Sequence, residues 1–304
     1  MRIRDLLIDR YSVMRNLSDR SVRIFSDTLD RVDEYLGREA TLEDFTDLQM
    51  AAYLRWRAQT PRKGRRVAQA TVAKDRAHLV ALANYAARKR LIPEFIDFPR
   101  MKVAIKPPRG YTVDEVSAIV REGRKRRGTV GGVPAAWFWM TLPMAAWESG
   151  ERIGSLLRLR WGEVDLPRRV LVLLGENRKD HVTTIERAIT GQLADYLRPQ
   201  MQSAGQLVWP WLEHRRENSI YTSLSALCKR AGVQPRGFHA IRKASGSYVK
   251  AAGGDATEHL GHANPRTTSK HYLDTRITGQ QSALEYLPPL DLDGPKKPPE
   301  RPAA

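Results

Sequence analysis

Residues 93 to 110, PEFIDFPRMKVAIKPPRG, contain four prolines and no apolar periodicity, and no other stretch constrains the fold as strongly. Proline lacks the amide proton a helix needs and pushes the preceding residue into extended backbone, so no helix can run through Pro107 and Pro108. Two bodies joined by an extended linker are therefore expected. A length of 304 residues, set against ~150 per domain, agrees with that division.

Ahead of the linker the pattern is helical. Val22, Phe25, Leu29, Val32 and Leu36 recur at spacings of three and four, with Ser18 placed to cap and Gly37 to stop. A second helix is expected from near Asp47, carrying Leu48, Ala51, Leu54 and Arg55, and a third from about Ala70 to Arg90, burying Leu79, Leu82, Ala83 and Ala86. Residues 1–92 thus read as a small helical bundle. The loop PRKGRR, residues 61–66, carries Lys63, Arg65 and Arg66, which suit either a grip on a phosphate backbone or a solvated turn.

Behind the linker, Thr112 and Glu115 form an S/T-x-x-E capping box, so a second domain is expected over 111–288. Its first helix ends in REGRKRRG, where Arg124, Lys125 and Arg126 make either a DNA-facing edge or a merely solvated one. PAAWFWMTLPMAAWESG reads as a buried helix, followed after Gly150 by a short helix that includes Arg152. VLVLL and VTTIERAI read as two strands joined by the polar turn ENRKDH, which holds Lys179. Proline and charge mark 289–304 as a disordered tail. The expected class is mainly α, with a small β-sheet in a mixed α+β second domain.

Lysine and arginine number 51 against 34 acidic residues, a formal charge of +17, which points to a polyanion and favours nucleic acid over membrane. Cys228 is the single cysteine and can form neither an internal disulfide nor a cysteine-based zinc site. No signal peptide or 18-residue apolar run is present, and a cytoplasmic location is expected.

Five features carry chemistry when joined: Arg152 in SGERIGSLLRLRW, Lys179 in ENRKDH, His239 with Arg242 in GFHAIRKASG, His262 in HLGH, and Tyr272 in TTSKHYLD. Singly each has a bland reading, as a salt-bridge arginine, a turn lysine, an exposed i, i+3 pair, a core histidine, and one tyrosine among ten. Taken in order, over roughly residues 10 to 285, they resemble the tyrosine recombinase family, which includes phage integrases and Xer-type resolvases. The helical bundle, the proline linker and the capping box resemble that family's core-binding domain and the entry to its catalytic domain.

The resemblance implies a site-specific recombinase that joins Tyr272 to a DNA 3′ phosphate and exchanges strands through a Holliday junction inside a homotetramer. Arg152 and Arg242 would fork to phosphate oxygens and stabilise the charge of the pentavalent transition state. Lys179 would protonate the departing 5′ oxygen, His239 would assist proton transfer and His262 would hydrogen-bond the phosphate. No cofactor or metal is implied, and the partner is double-stranded DNA with inverted-repeat core sites.

Two positions depart from the family pattern. Ser155 stands where many members have an acid, so any acidic contribution must come from elsewhere or be absent. The interval from His262 to Tyr272 is one residue longer than is common, which would put His271 in the nucleophile's place. Tyr272 is preferred because histidine makes a less stable adduct. Two other readings stay open: a DNA-binding protein on the same fold that has lost cleavage, and a type IB topoisomerase-like relaxing enzyme. The segment from Ile277 to Leu287 is expected to pack on a neighbouring protomer.

Overall fold

The chain divides into two units, Met1–Ile105 and Lys106–Ala304. The computed structural model describes residues 1–62, 64–104, 106–178 and 183–279. Lys63, Lys179, most of the proposed packing segment 277–287 and the expected disordered tail lie outside the described residues.

The first unit is helical, and its core begins earlier than the sequence pattern suggested. Two short turns, α1 (Ile3–Asp5) and α2 (Ser12–Met14), flank the wider π-helical turn Leu6–Tyr11. Ile3, Leu6 and Leu7 are fully buried. Helix α3 (Asp19–Leu36) starts on the Ser18 hydroxyl, which accepts from the Ser21 amide, and ends on Gly37 at φ +68°.

Helix α4 (Asp47–Gln59) is capped by Thr46 and buries Met50, Tyr53, Leu54 and Arg57. The expected apolar face was wrong by part of a turn, because Leu48 is 85% exposed and a buried arginine takes a core position. Helix α5 (Gln69–Arg88) buries Leu79, Leu82, Ala83 and Ala86. The start of the proline stretch is packed on this unit: Phe98 is buried, and Arg76 donates to the carbonyls of Phe98 and Pro99.

In the second unit, the capping box starts α6 (Val113–Gly123), with Thr112 and Glu115 each accepting the other's amide proton. A short hairpin, β1 (Thr129–Val130) with β2 (Val133–Pro134), leads into α7 (Ala135–Ser149). The α7 helix is apolar around most of its circumference and forms the spine of the core, beside Trp209, Trp211 and Leu224. It stops at Gly150, whose φ of +62° suits glycine, and a Cβ there would meet the His259 ring.

A single turn, α8 (Ile153–Leu156), follows. Strands β3 (Val164–Asp165), β4 (Val170–Leu173) and β5 (Ile185–Ala188) make an antiparallel sheet in the order β3-β4-β5, one strand more than the pattern suggested. Helices α9 (Gly191–Leu197) and α10 (Ser219–Arg230) complete the scaffold around α11 (Phe238–Ala251), which packs on α7. The chain then turns through α12 (Ala256–Leu260), α13 (Pro265–His271) and α14 (Thr275–Thr278).

Candidate active site

The site is assembled where α7, α11 and the α12–α13 turn meet. After Gly150, the chain passes Glu151 and Arg152 before α8 begins, with Arg152 half-buried at the helix cap. On α11, His239 and Arg242 share a face one turn apart but have different environments: His239 is exposed at the rim and Arg242 is 1% exposed.

Arg242 is held from several sides. One amino group donates to the Gly150 carbonyl; the other donates to the Leu260 carbonyl at 2.5 Å and meets His262 Nε2 at 3.0 Å. A guanidinium can only donate, so Nε2 accepts and the His262 ring proton sits on Nδ1, where Thr268 Oγ1 at 2.9 Å receives it. Burial lowers the Arg242 pKa to about 10, with Glu151 opposing and Arg152 adding to the shift, so the group stays charged at neutral pH.

The α12–α13 turn sets His262. Asp255 caps α12, Gly261 ends it at φ +59°, and Asn264 with Pro265 starts α13. A Cβ at Gly261 would meet the Arg178 guanidinium, so glycine lets that arginine close on the turn. Arg152, Arg178, His262, Asn264 and Thr267 line one open cleft.

Tyr272 terminates α13, and its amide donates to the Thr268 carbonyl. Its side chain is 8% exposed. The ring lies edge-on to His262 at 4.3 Å and to His239 at 4.9 Å between centroids, and the Arg242 guanidinium carbon is 5.4 Å from its centre. His271 is exposed. The structure therefore brings Tyr272, and not His271, to the arginine and the two histidines. His239 keeps one edge in solvent, but the protein packed around the ring desolvates it and, with help from Lys243, Arg242 and Arg152, lowers its pKa to about 4, so it is neutral at pH 7.

Three residues that sequence reasoning passed over hold this arrangement. Glu151 is 1% exposed and lies within 3.8 Å of guanidinium nitrogens from Arg178, Arg187 and Arg242. Asp274, two residues after the tyrosine, accepts the Gly110 amide at 2.9 Å and pairs with Arg276. Ser247, whose hydroxyl donates to the Lys243 carbonyl at 2.7 Å, accepts the Asp274 amide at 2.9 Å and so ties the segment after the tyrosine to α11. None of the three was singled out in the sequence, where Glu151 stood only as the neighbour of Arg152 in SGERIGSLLRLRW.

Residues 134–277 match the family model described as the phage integrase family. That match lies within the second unit and covers just under half of the chain, so the likeness to the phage integrase family is a likeness of that unit. A tyrosine recombinase XerC of Pseudomonas aeruginosa is 22% identical over 208 residues, 65% of this chain and 47% of that protein, so the match spans about half the relative's length.

Among solved structures, the Tn1549 transposon integrase in complex with transposon right end DNA superposes with a TM-score of 0.69 at 12% identity, covering 94% of this chain and 99% of that one. A lambda integrase tetramer bound to a Holliday junction gives 0.64 at 16%, covering 87% and 78%. The integrase likeness extends over both units as a fold.

Of the basic residues expected to meet DNA, Arg65 and Arg66 are exposed on a tight turn closed by Arg62, and Arg124 and Lys125 are exposed after α6. Arg126 is half-buried. Among the described residues, no helix is long and apolar enough to cross a membrane.

Proposed function

We propose that this chain is a site-specific DNA recombinase in which the Tyr272 hydroxyl attacks a scissile phosphodiester, leaving a 3′-phosphotyrosyl bond and a free 5′ hydroxyl. The observation that carries this reading is the buried Tyr272 ring packed among Arg242, His239 and His262, with His271 turned outward. A phosphate in the neighbouring cleft would meet Arg152 from one wall and His262 from the other.

The chemistry follows from the residue types. Charge growing on the non-bridging oxygens would be met by the Arg152 and Arg242 guanidiniums, of which Arg242 is already held by the Gly150 and Leu260 carbonyls. Neutral His239 can accept the tyrosine proton, and the phosphate's negative charge would raise its basicity on binding. Lys179, which lies between β4 and β5 in the sequence and outside the described residues, would protonate the leaving 5′ oxygen. The phosphotyrosine conserves bond energy, so a partner strand's 5′ hydroxyl can reverse the attack without ATP.

Repeated on paired sites, this exchange passes through a Holliday junction. The fold likeness to a lambda integrase tetramer on such a junction supports a tetramer acting on inverted-repeat DNA. The excess of cations supports DNA as the partner.

The test is a nicked suicide substrate carrying attachment sites of the encoding element, incubated in EDTA with wild type, Tyr272→Phe and His271→Ala. A denaturation-resistant adduct lost only with Tyr272→Phe is expected. Tight binding with no adduct in any variant would instead favour a non-catalytic DNA-binding role.

A further inference from the structure

We propose that Glu151 is a positioning residue, a buried carboxylate that focuses Arg178, Arg187 and Arg242 on one point and thereby sets the guanidiniums facing the phosphate. This rests on the proposed cleavage site at Tyr272. The three arginines come from separate places, namely the end of the β4 side of the hairpin, strand β5 and helix α11.

Each arginine is also tied to a backbone carbonyl. Arg178 donates to Thr183 at 2.6 Å, Arg187 to Glu258 at 3.1 Å, and Arg242 to Leu260 at 2.5 Å. The inner ends of all three meet the Glu151 carboxylate at 3.8 Å. Its Oε2 also accepts the Arg152 amide at 3.1 Å, which orients the backbone of the fourth arginine.

A carboxylate this deep is tolerated only beside positive charge, and guanidiniums this close together repel unless an anion lies between them. Glu151 supplies that anion permanently. Arg178, one of the three, also lines the cleft that a phosphodiester would enter. Ser155, where the family pattern suggested an acid, is 3% exposed and carries no charge. The carboxylate that faces these arginines is that of Glu151, the residue preceding Arg152.

The experiment compares wild type, Glu151→Gln, Glu151→Asp and the double variant Glu151→Gln with Arg187→Gln in single-turnover adduct formation, DNA binding and thermal melting. Glu151→Gln is expected to bind DNA like wild type and form adduct about 100-fold more slowly, the scale of losing one oriented transition-state donor. Glu151→Asp should recover part of the rate, as should the double variant, in which one surplus cation is gone. Equal rates for wild type and Glu151→Gln would overturn the proposal. So would rates that follow the melting temperature alone across the four proteins.

A second readout does not depend on cleavage. In protein labelled with ¹⁵N in the guanidino group, the Arg242 Nε–H signal, assigned by its loss in Arg242→Lys, should move in Glu151→Gln. An unmoved signal overturns the role of Glu151 even if wild type makes no adduct. Absence of adduct from wild type, with the signal shifted, counts against the Tyr272 reading and not against this one.

Discussion

Each unit buries ionised side chains, in opposite ways. In the first, Arg57 and Asp75 are 5% and 3% exposed and form a one-to-one pair at 2.9 Å, with Asp75 also accepting from Thr28. In the second, Glu151 faces three guanidiniums at 3.8 Å and none at hydrogen-bonding distance. The first arrangement is closed, since its charges cancel and its hydrogen bonds are short. The second is open, with its arginines held at longer range and Arg178 reaching the cleft. A buried pair of the first kind belongs to folding, whereas the second, under the proposed function, would stand beside the phosphate.

The largest expected effect breaks the closed pair. Arg57→Ala leaves Asp75 buried without its cation and should cost the first unit about 3–5 kcal/mol, read by hydrogen exchange of α4 and α5 amides. Replacing both partners, Arg57→Met with Asp75→Leu, should return stability to within about 1 kcal/mol of wild type or better. A double variant as unstable as the single one would mean the pair does more than balance its own charge.

The open cluster should respond in the reverse sense. Arg242→Gln should slow adduct formation by about 10²–10³-fold. Its melting temperature should fall less than that of Arg57→Ala, because Arg178 and Arg187 remain to balance Glu151. A large stability loss with an intact cleavage rate in the folded fraction would make Arg242 a structural residue and erase the contrast.

Acid sharpens the comparison further. Burial holds His259 and His239 near 4 in the second unit, whereas His78 in the first is lowered mainly by burial, with Lys74 assisting and Asp75 opposing. Below a pH of about 6.5 the unfolded chain takes up protons that these native histidines refuse, so stability falls as pH drops toward 4. Six of the seven tryptophans lie in the second unit, so indole fluorescence should report its acid unfolding. Acid unfolding in the first unit at higher pH than in the second would reverse the expected order.

The smallest effect concerns the exposed cations of the first unit. Arg65→Ala with Arg66→Ala should leave melting unchanged and flatten the plot of log affinity against log salt by ~0.9 for each phosphate no longer neutralised. An unchanged slope would make PRKGRR a solvated turn.

Local chemistry was legible from residues alone. The Thr112–Glu115 box, the Ser18 cap, the Gly37 and Gly150 stops and the apolar α7 each act within a few positions of one another, so the sequence states them directly. The segments around Arg152, His239, Arg242, His262 and Tyr272 each had a bland reading alone, and only their order, through the resemblance it carries, made them a candidate site. The first fourteen residues were not legible, because their burial depends on a core supplied by α3 and α5.

Residue chemistry already preferred Tyr272 to His271, but only the tertiary structure shows that Tyr272 is buried and His271 exposed, because neighbours at a helix end point in different directions. Tertiary structure alone assembled the Glu151 cluster, whose members lie at 151, 178, 187 and 242. Capping and periodicity are written in neighbouring residues. The convergence of remote charges on one buried carboxylate exists only after the chain has closed the long loops between them.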